Sequence, residues 1–152
     1  MAKMSILFDG FEDLAARVDE VGGLEYLHKA VDEALTETAT IIKDNLISAA
    51  AVYDSKGKKG YAQGDMYRSI IQDADVTWEG TIGTVNSGFD LDAKGGFHSI
   101  FVMYGTAMYG TPRIRKDQKL YDAIKGTKTK KDIAEKQEEI MQKYINLEGG
   151  KK

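Results

Sequence analysis

Two Tyr-Gly-Thr triplets stand close together in the second half of this 152-residue chain, directly before its only proline, Pro112. Glycine permits a positive φ or a close backbone approach, and threonine forms local hydrogen bonds. Tyrosine adds amphipathic contact area of the kind enriched at interfaces. The pattern predicts a tight structural turn first and a subunit contact second, rather than a catalytic loop. The candidate interface residues are Tyr104, Gly105, Thr106, Tyr109, Gly110 and Thr111.

The groups that enzymes use most often are sparse. His28 and His98 are the only histidines, and neither stands in a local motif that would assemble a Ser-His-Asp set. Cysteine is absent, so a zinc site would need several carboxylates at a spacing that the chain does not offer. Paired carboxylates such as Asp73 and Asp75 lack the apolar surroundings that acid–base catalysis requires. We therefore expect no enzymatic activity, no metal and no cofactor.

Two loop-like segments resemble ligand-binding motifs at first sight. The stretch FDLDAKGG, residues 89–96, begins like a calcium loop, but Lys94 occupies the position of the third oxygen ligand and would repel calcium. The stretch SKGKKGY, residues 55–61, lacks the spacing of a phosphate-binding P-loop. We interpret it as a mobile loop, carrying Lys56, Lys58, Lys59 and Tyr61.

A second basic cluster, at Lys125, Lys128, Lys130 and Lys131, coincides with a predicted helix break. Its simplest interpretation is lysine near a helix C-terminus, where a cation is favourable. An alternative function uses both lysine clusters in a small DNA-associated binding module, whose affinity would fall with salt. The net charge of −3 and the pI of about 5.4 argue against DNA binding by the whole molecule.

The composition is that of an ordinary globular domain, with 42% hydrophobic and 30% charged residues. No apolar run approaches the roughly 18 residues that cross a bilayer, and the N-terminus does not resemble a signal peptide. The sequence therefore predicts a cytoplasmic protein without a membrane partner.

The strongest structural signal is an apolar stripe between residues 24 and 50, in steps of three and four. It predicts a helix of about 40 Å, which must lie across a sheet or against a neighbouring subunit. The stripe consists of Leu24, Leu27, Val31, Leu35, Ala39, Ile42 and Leu46. Before it, a short strand over residues 5–8 and a helix over residues 11–21 are expected.

After the long helix we expect a short helical turn capped by Asp65, and then two antiparallel strands within residues 70–85. Their turn lies either around residues 73–75 or at Glu79-Gly80. Residues 97–106 form a strand or a short buried helix, and residues 115–124 a polar helix. The stretch GTKTKK, residues 126–131, breaks it before a last helix over residues 132–147.

The predicted fold class is thus α+β: a small antiparallel sheet packed against one long helix of the N-terminal half, with additional short helices and a C-terminal helical extension. We place the α+β domain at residues 1–125 and the extension at residues 126–152.

The order of several short motifs resembles the small neck proteins of tailed bacteriophages, the head–tail joining or tail-completion group typified by a lambdoid phage's gene-product-ten. An opening segment, FDGFEDLAARV, precedes the long helix. Residues 63–70, QGDMYRSI, stand where the family has Asp-Thr-Gly-x-Leu-x-x-Ser-Ile. Residues 82–86, IGTVN, are similar to the family's Val-Gly-Thr-Asn strand, and Tyr104-Gly105-Thr106 to its aromatic-x-Gly-Thr turn. The similarity covers about residues 6–125.

The resemblance implies a non-catalytic structural protein of the virion, a head–tail connector that takes part in tail completion. Such a protein assembles as a homo-oligomeric ring, with a hexamer favoured, at the head–tail junction, and occupies the host cytoplasm before assembly. Its neighbours would be adjacent neck proteins and the tail terminator or tail tube, with genomic DNA passing through. Lys56, Lys58, Lys59 and Tyr61 would then lie near the channel.

Overall fold

The computed structural model describes residues 23–54, 64–106 and 114–148. Within these ranges it has the predicted α+β architecture, in which a two-stranded antiparallel sheet packs against one long helix. The strand expected over residues 5–8 and the helix expected over residues 11–21 lie outside the described residues. None of the described helices combines the length and the apolar character needed to cross a bilayer.

Helix α1, Leu24–Ala50, begins after Gly23 and continues into a 3₁₀ turn over Ala51–Tyr53. It contains neither glycine nor proline, so nothing in its own sequence interrupts it. Its most buried side chains follow each other in steps of four residues. This line shares Ile42 and Leu46 with the predicted stripe but otherwise differs from it. The members of this line are Ala30, Ala34, Thr38, Ile42, Leu46 and Ala50. The first three members of this line have small side chains, which allow another helix to approach closely.

Helix α2, Asp65–Arg68, is the expected short helical turn, but Asp65 does not cap it. The cap position is Gly64, which has a φ of 74° and offers no side chain. Asp65 is the first helical residue, and its carboxylate pairs with Arg68 at 2.7 Å and with Lys94 at 3.0 Å. The left-handed backbone before the helix is open to glycine and not to a β-carbon, which explains the shift by one residue.

Strands β1, Val76–Glu79, and β2, Ile82–Val85, form the sheet and turn at Gly80, so the second of the two predicted turn positions is correct. Trp78 faces α1 and lies across from Gly83 in the register. The indole stacks on His28 with 4.1 Å between ring centroids, and its Nε1 donates to Asp32 Oδ1 at 2.7 Å. One tryptophan therefore attaches the hairpin to the N-terminal half of α1.

Residues 97–106 contain helix α3, His98–Tyr104. Of the two predicted alternatives, a strand or a short helix, the helix is therefore correct. Helix α4 spans Gln118–Lys125 and helix α5 spans Thr127–Glu148. The predicted break over residues 126–131 is wrong, because only Gly126 is non-helical and α5 starts at the next residue. The Thr129 hydroxyl donates to the carbonyl of Asp122 at 2.7 Å, which holds the first turn of α5 against α4.

Helix α5 lies antiparallel along α1. At one end Asn45 Nδ2 donates to Thr129 Oγ1 at 3.4 Å, and at the other Tyr144 Oη donates to Glu33 Oε2 at 2.6 Å. Between them the buried Thr38 hydroxyl accepts a hydrogen bond from Gln137 Nε2 at 2.8 Å. The predicted boundary between a domain and an extension after residue 125 remains a prediction. The helix beyond this boundary, α5, shares a hydrophobic core with α1 and α4.

The main core consists of side chains from α1, α2, α3, α4 and α5, and a smaller cluster lies where the N-terminal half of α1 meets the C-terminal half of α5. Throughout the described ranges every buried side-chain nitrogen or oxygen has a hydrogen-bond partner. This is the condition under which buried polar groups such as Thr38 and Gln137 do not cost stability. The main core includes Ile42, Leu46, Met66, Ile70, Met103, Leu120, Ala123 and Ile133.

Candidate assembly surface

The first Tyr-Gly-Thr triplet ends helix α3. Gly105 has a φ of 75°, and its amide donates to the carbonyl of Phe101 at 2.8 Å. A β-carbon at this position would lie 3.0 Å from the Lys116 nitrogen and 3.1 Å from the Ile114 oxygen. The sequence-based reading of a tight turn that needs glycine therefore holds for this triplet, since both the positive φ and the close backbone approach are present.

Thr106 joins the turn to the segment that leads into α4. Its amide donates to the Ile114 carbonyl at 3.0 Å, and its hydroxyl accepts from the Ile114 amide at the same distance. The two ends of the segment 107–113 are thus hydrogen-bonded to each other. Tyr109, Gly110 and Thr111 belong to that segment and lie outside the described residues. The same is true of Lys56, Lys58, Lys59 and Tyr61.

An aromatic row runs along the outward side of α3 and ends at Tyr104. Phe97, Phe101 and Tyr104 are spaced four and three residues apart, so they fall within about 60° of arc on one side of the chain. They are 57%, 37% and 46% exposed, whereas Ser99 and Met103 on the opposite side are buried. The Phe97 and Phe101 rings meet edge to face with their centroids 5.3 Å apart. The sequence did not assign a role to the two phenylalanines, although their spacing with Tyr104 could have indicated one.

The row continues across to α4 and meets a set of exposed cations there. The Tyr104 ring packs edge to face on Tyr121, with 5.8 Å between centroids. Lys116 Nζ lies 3.6 Å above the Tyr121 ring, and Lys125 Nζ lies 5.2 Å from the centroid of Tyr104. The side chain of Tyr104 raises the pKa of Lys125 above its usual value. Aromatic rings over which cations sit are typical of recognition surfaces.

These two lysines belong to a larger basic face. Residues 114–131 contain seven basic and two acidic side chains. One of the acids, Asp117, is engaged in capping α4. Lys128, Lys130 and Lys131 lie in the first turns of α5, where the helix dipole disfavours a cation, so the interpretation as C-terminal lysines holds only for Lys125. We call the exposed cations of this segment the basic face, although they lie on more than one side of α4 and α5, and Lys131 pairs with Glu135 at 3.5 Å. The cations that border the aromatic row are Lys116 and Lys125. The full set is Arg115, Lys116, Lys119, Lys125, Lys128, Lys130 and Lys131.

Asp117 positions the elements that carry this surface. Its Oδ1 accepts from the amides of Lys119 and Leu120 at 2.9 and 3.1 Å, which caps α4. Its Oδ2 accepts from the Tyr53 hydroxyl, and its amide donates to the Val102 carbonyl at 2.8 Å. Burial, followed by this hydrogen bond to a carboxylate, raises the pKa of Tyr53 to about 12. The side chain of Asp117 thereby joins α4 to the end of α1, and its backbone amide joins the same residue to α3. The sequence analysis did not single it out, although aspartate before a helix is a local cap signal.

The two histidines have different structural settings. His98 is exposed at the start of α3, and His28 stacks on Trp78 far from it in the chain. In the ranges that the structure describes, no group of three or more His, Cys, Asp or Glu side chains could hold a metal ion. Lys94 of the calcium-like stretch pairs with Asp65 instead. A shallow groove of about 630 Å³ between α1 and the α4–α5 joint is lined by only one carboxylate, Asp122.

The arrangement therefore presents exposed apolar rings bordered by cations, which suits contact with another macromolecule. Comparison of the chain with protein-family models, with curated proteins and with solved structures finds no match.

Proposed function

We propose that this chain is a structural virion protein of a tailed bacteriophage that forms a ring at the head–tail junction, the neck, through which DNA passes. The observation that carries the proposal is the exposed aromatic row that ends in the Tyr104-Gly105-Thr106 turn. Uncovered apolar area bordered by polar groups marks interaction sites on soluble proteins. The end of the row, Tyr104-Gly105-Thr106, stands where the resemblance to neck proteins has its aromatic-x-Gly-Thr turn.

The order of the elements supports the proposal. The long helix α1 is followed by the short helix α2, by the strand that contains Gly83 and Thr84, by the turn at Gly105 and by helix α4. This is the order in which the resemblance places the corresponding motifs. The ring would be a homo-oligomer, with a hexamer favoured, in contact with adjacent neck proteins and the tail terminator or tail tube. An acidic body would let DNA slide through without adhering.

The proposal is tested on virions from a phage whose copy of this gene carries an epitope tag after Lys152. Electron microscopy with an antibody against the tag should label the head–tail junction. Intact virions without the tag would overturn the proposal.

Alanine at both Tyr104 and Tyr109 should prevent incorporation into particles while the purified chain keeps its circular dichroism spectrum. Phenylalanine at the same two positions is the matched control, because it retains the rings and removes only the hydroxyls. Full complementation of a null phage by the double alanine variant would show that this turn is not the assembly surface.

The basic face favours a second candidate function, a DNA-associated binding module. Seven exposed cations, three of them at an unfavourable helix end, supply the phosphate contacts that non-specific DNA binding requires. This candidate predicts an affinity for duplex DNA that falls steeply between about 50 and 200 mM salt. Fluorescence anisotropy of a labelled duplex against the purified chain measures it. An anisotropy unchanged at the lower salt concentration would exclude it.

A further inference from the structure

The segment that contains the β-hairpin carries charge of opposite sign to the basic face. Residues 70–93 contain five acidic side chains and no basic one, and all five acids are exposed. Within the described part of the chain none of them forms a salt bridge. Glu79 lies in strand β1 and Asp75 directly before it, Asp73 lies two residues earlier, and Asp90 and Asp92 lie in the loop after β2. Exposed charge of one sign without a salt bridge is available for a partner of the other sign.

The outward side of the hairpin adds an apolar centre to these acids. In the strand register Glu79 lies opposite Ile82 and Thr77 opposite Thr84, and these four side chains are exposed. Ile82 is 64% exposed, while Trp78 on the inward side packs on α1. We call this side, together with Asp75, the acidic hairpin face. This face carries one apolar side chain among carboxylates. The basic face is its counterpart, because there cations border apolar rings.

The hairpin and the basic face of one molecule contact α1 at different places. Strand β1 contacts α1 at Asp32, and the joint between α4 and α5 contacts it at Asn45. These positions are 13 residues apart, which corresponds to about 20 Å along a helix. The chain before β1 lies nearer to the joint, because the Gln72 carbonyl accepts a hydrogen bond from Lys43 Nζ at 3.2 Å. The exposed end of the hairpin at Glu79 and Ile82 is therefore open to a second molecule.

We infer that a second copy of this chain docks its acidic hairpin face against the aromatic row and the basic face of the first. This inference rests on the proposed function, because it supplies the two different patches that a head-to-tail ring needs. Ile82 would pack against Phe101 and Tyr104, and the carboxylates would face Lys116 and Lys125. Opposite charge speeds and orients such an encounter, whereas pairing of two basic faces about a twofold axis would set like charges together.

A charge-swap experiment on the full chain tests the inference. Variant A carries Lys116→Glu and Lys125→Glu, and variant B carries Asp75→Lys and Glu79→Lys. Each variant alone sets like charges against each other and should weaken self-association more than about tenfold. In an equimolar mixture every interface between A and B pairs opposite charges again. Sedimentation velocity at low salt should show the mixture associating with an affinity close to that of the wild type.

A control variant with Lys29→Glu and Lys136→Glu changes the net charge by the same amount as variant A, but at two cations outside the basic face. It should associate like the wild type. The inference is overturned if A and B associate as well as the wild type, if their mixture stays monomeric, or if the wild type itself shows no association up to about 0.5 mM. Loss of duplex DNA binding in A without loss of self-association would also overturn it and assign the basic face to nucleic acid.

The outcomes separate this inference from the proposed function. Charge-dependent association in solution together with an absence of the tagged chain from virions would leave the interface standing and remove the neck assignment. Label at the head–tail junction together with normal incorporation of A and B would support the neck assignment and overturn the inferred interface.

Discussion

Removal of the Asp117 side chain should release the surface-bearing elements from the end of α1. Asp117→Ala loses a helix cap, which costs about 1 kcal/mol. It also leaves the hydroxyl of Tyr53 without its carboxylate partner, and a hydrogen bond to a charged group contributes about 1.5 kcal/mol. The expected loss is therefore about 2.5 kcal/mol in the free energy of unfolding.

Urea unfolding followed by far-ultraviolet circular dichroism measures this loss. With a denaturant dependence of about 2 kcal/mol per molar urea, the midpoint should fall by about 1.2 M. Two matched variants separate the contribution of the hydrogen bond from that of the helix cap. Asp117→Asn retains an oxygen for the cap, and Tyr53→Phe removes only the hydrogen bond, so each should cost about 1.5 kcal/mol.

A double-mutant cycle between Tyr53→Phe and Asp117→Ala should yield a coupling energy of about 1.5 kcal/mol. A loss below about 0.5 kcal/mol for Asp117→Ala, or a coupling energy near zero, would refute the reasoning. The pH dependence gives an independent check. Since the folded pKa of Tyr53 is raised to about 12, its contribution is complete below the ordinary tyrosine pKa of about 10. It is lost as the pH rises through about 12. Tyr53→Phe should remove that part of the alkaline loss.

Two further predictions concern other parts of the fold. Gly96→Ala should cost at least about 3 kcal/mol, because its β-carbon would lie 1.7 Å from the carbonyl oxygen of Asp90. Gly80→Ala, whose β-carbon meets nothing within 4 Å, should cost only the strain of its positive φ, about 1 kcal/mol. Equal urea midpoints for the two variants would contradict this. The hydroxyl of Tyr144, with a neighbouring lysine, holds the pKa of Glu33 below its usual value of 4.5. The stability that Glu33 contributes should therefore be present above pH 4.5 and disappear as the pH falls through its lowered folded pKa. The difference in urea midpoint between the wild type and Glu33→Gln should shrink on acidification, and a difference that stays constant down to about pH 2 would exclude the linkage.

Local patterns predicted the elements whose signal lies within one segment. The stripe from Leu27 to Leu46 indicated α1, and Glu79-Gly80 was one of two proposed turns of the hairpin. The pattern failed at residues 126–131, where threonine and lysine between two helices resembled a loop. There Thr129 bonds to the preceding helix, and a contact between neighbouring helices outweighs the weak helix preference of threonine.

The candidate surface was predictable only in part. Tyr104 and Gly105 stood out because the triplet is unusual and because a positive φ favours glycine. The exposure of Phe97 and Phe101 was not predictable, since an aromatic side chain on a short helix is more often buried. The cap role of Asp117 has a local signal, since aspartate precedes the helix, but its second role does not, because the contact with Tyr53 joins residues 64 positions apart.

The sequence by itself determined that the chain is an α+β protein with one long helix, that it offers no cysteine chemistry and that a glycine-dependent turn follows Tyr104. These properties follow from periodicity, composition and backbone sterics, which act over a few residues. Only the tertiary structure decided that α5 covers the Ala30, Ala34 and Thr38 line of α1, that Trp78 fastens the hairpin through Asp32, and that acidic and basic faces lie apart along α1. Those outcomes depend on which distant segments exclude water from one another, and no local pattern encodes that choice.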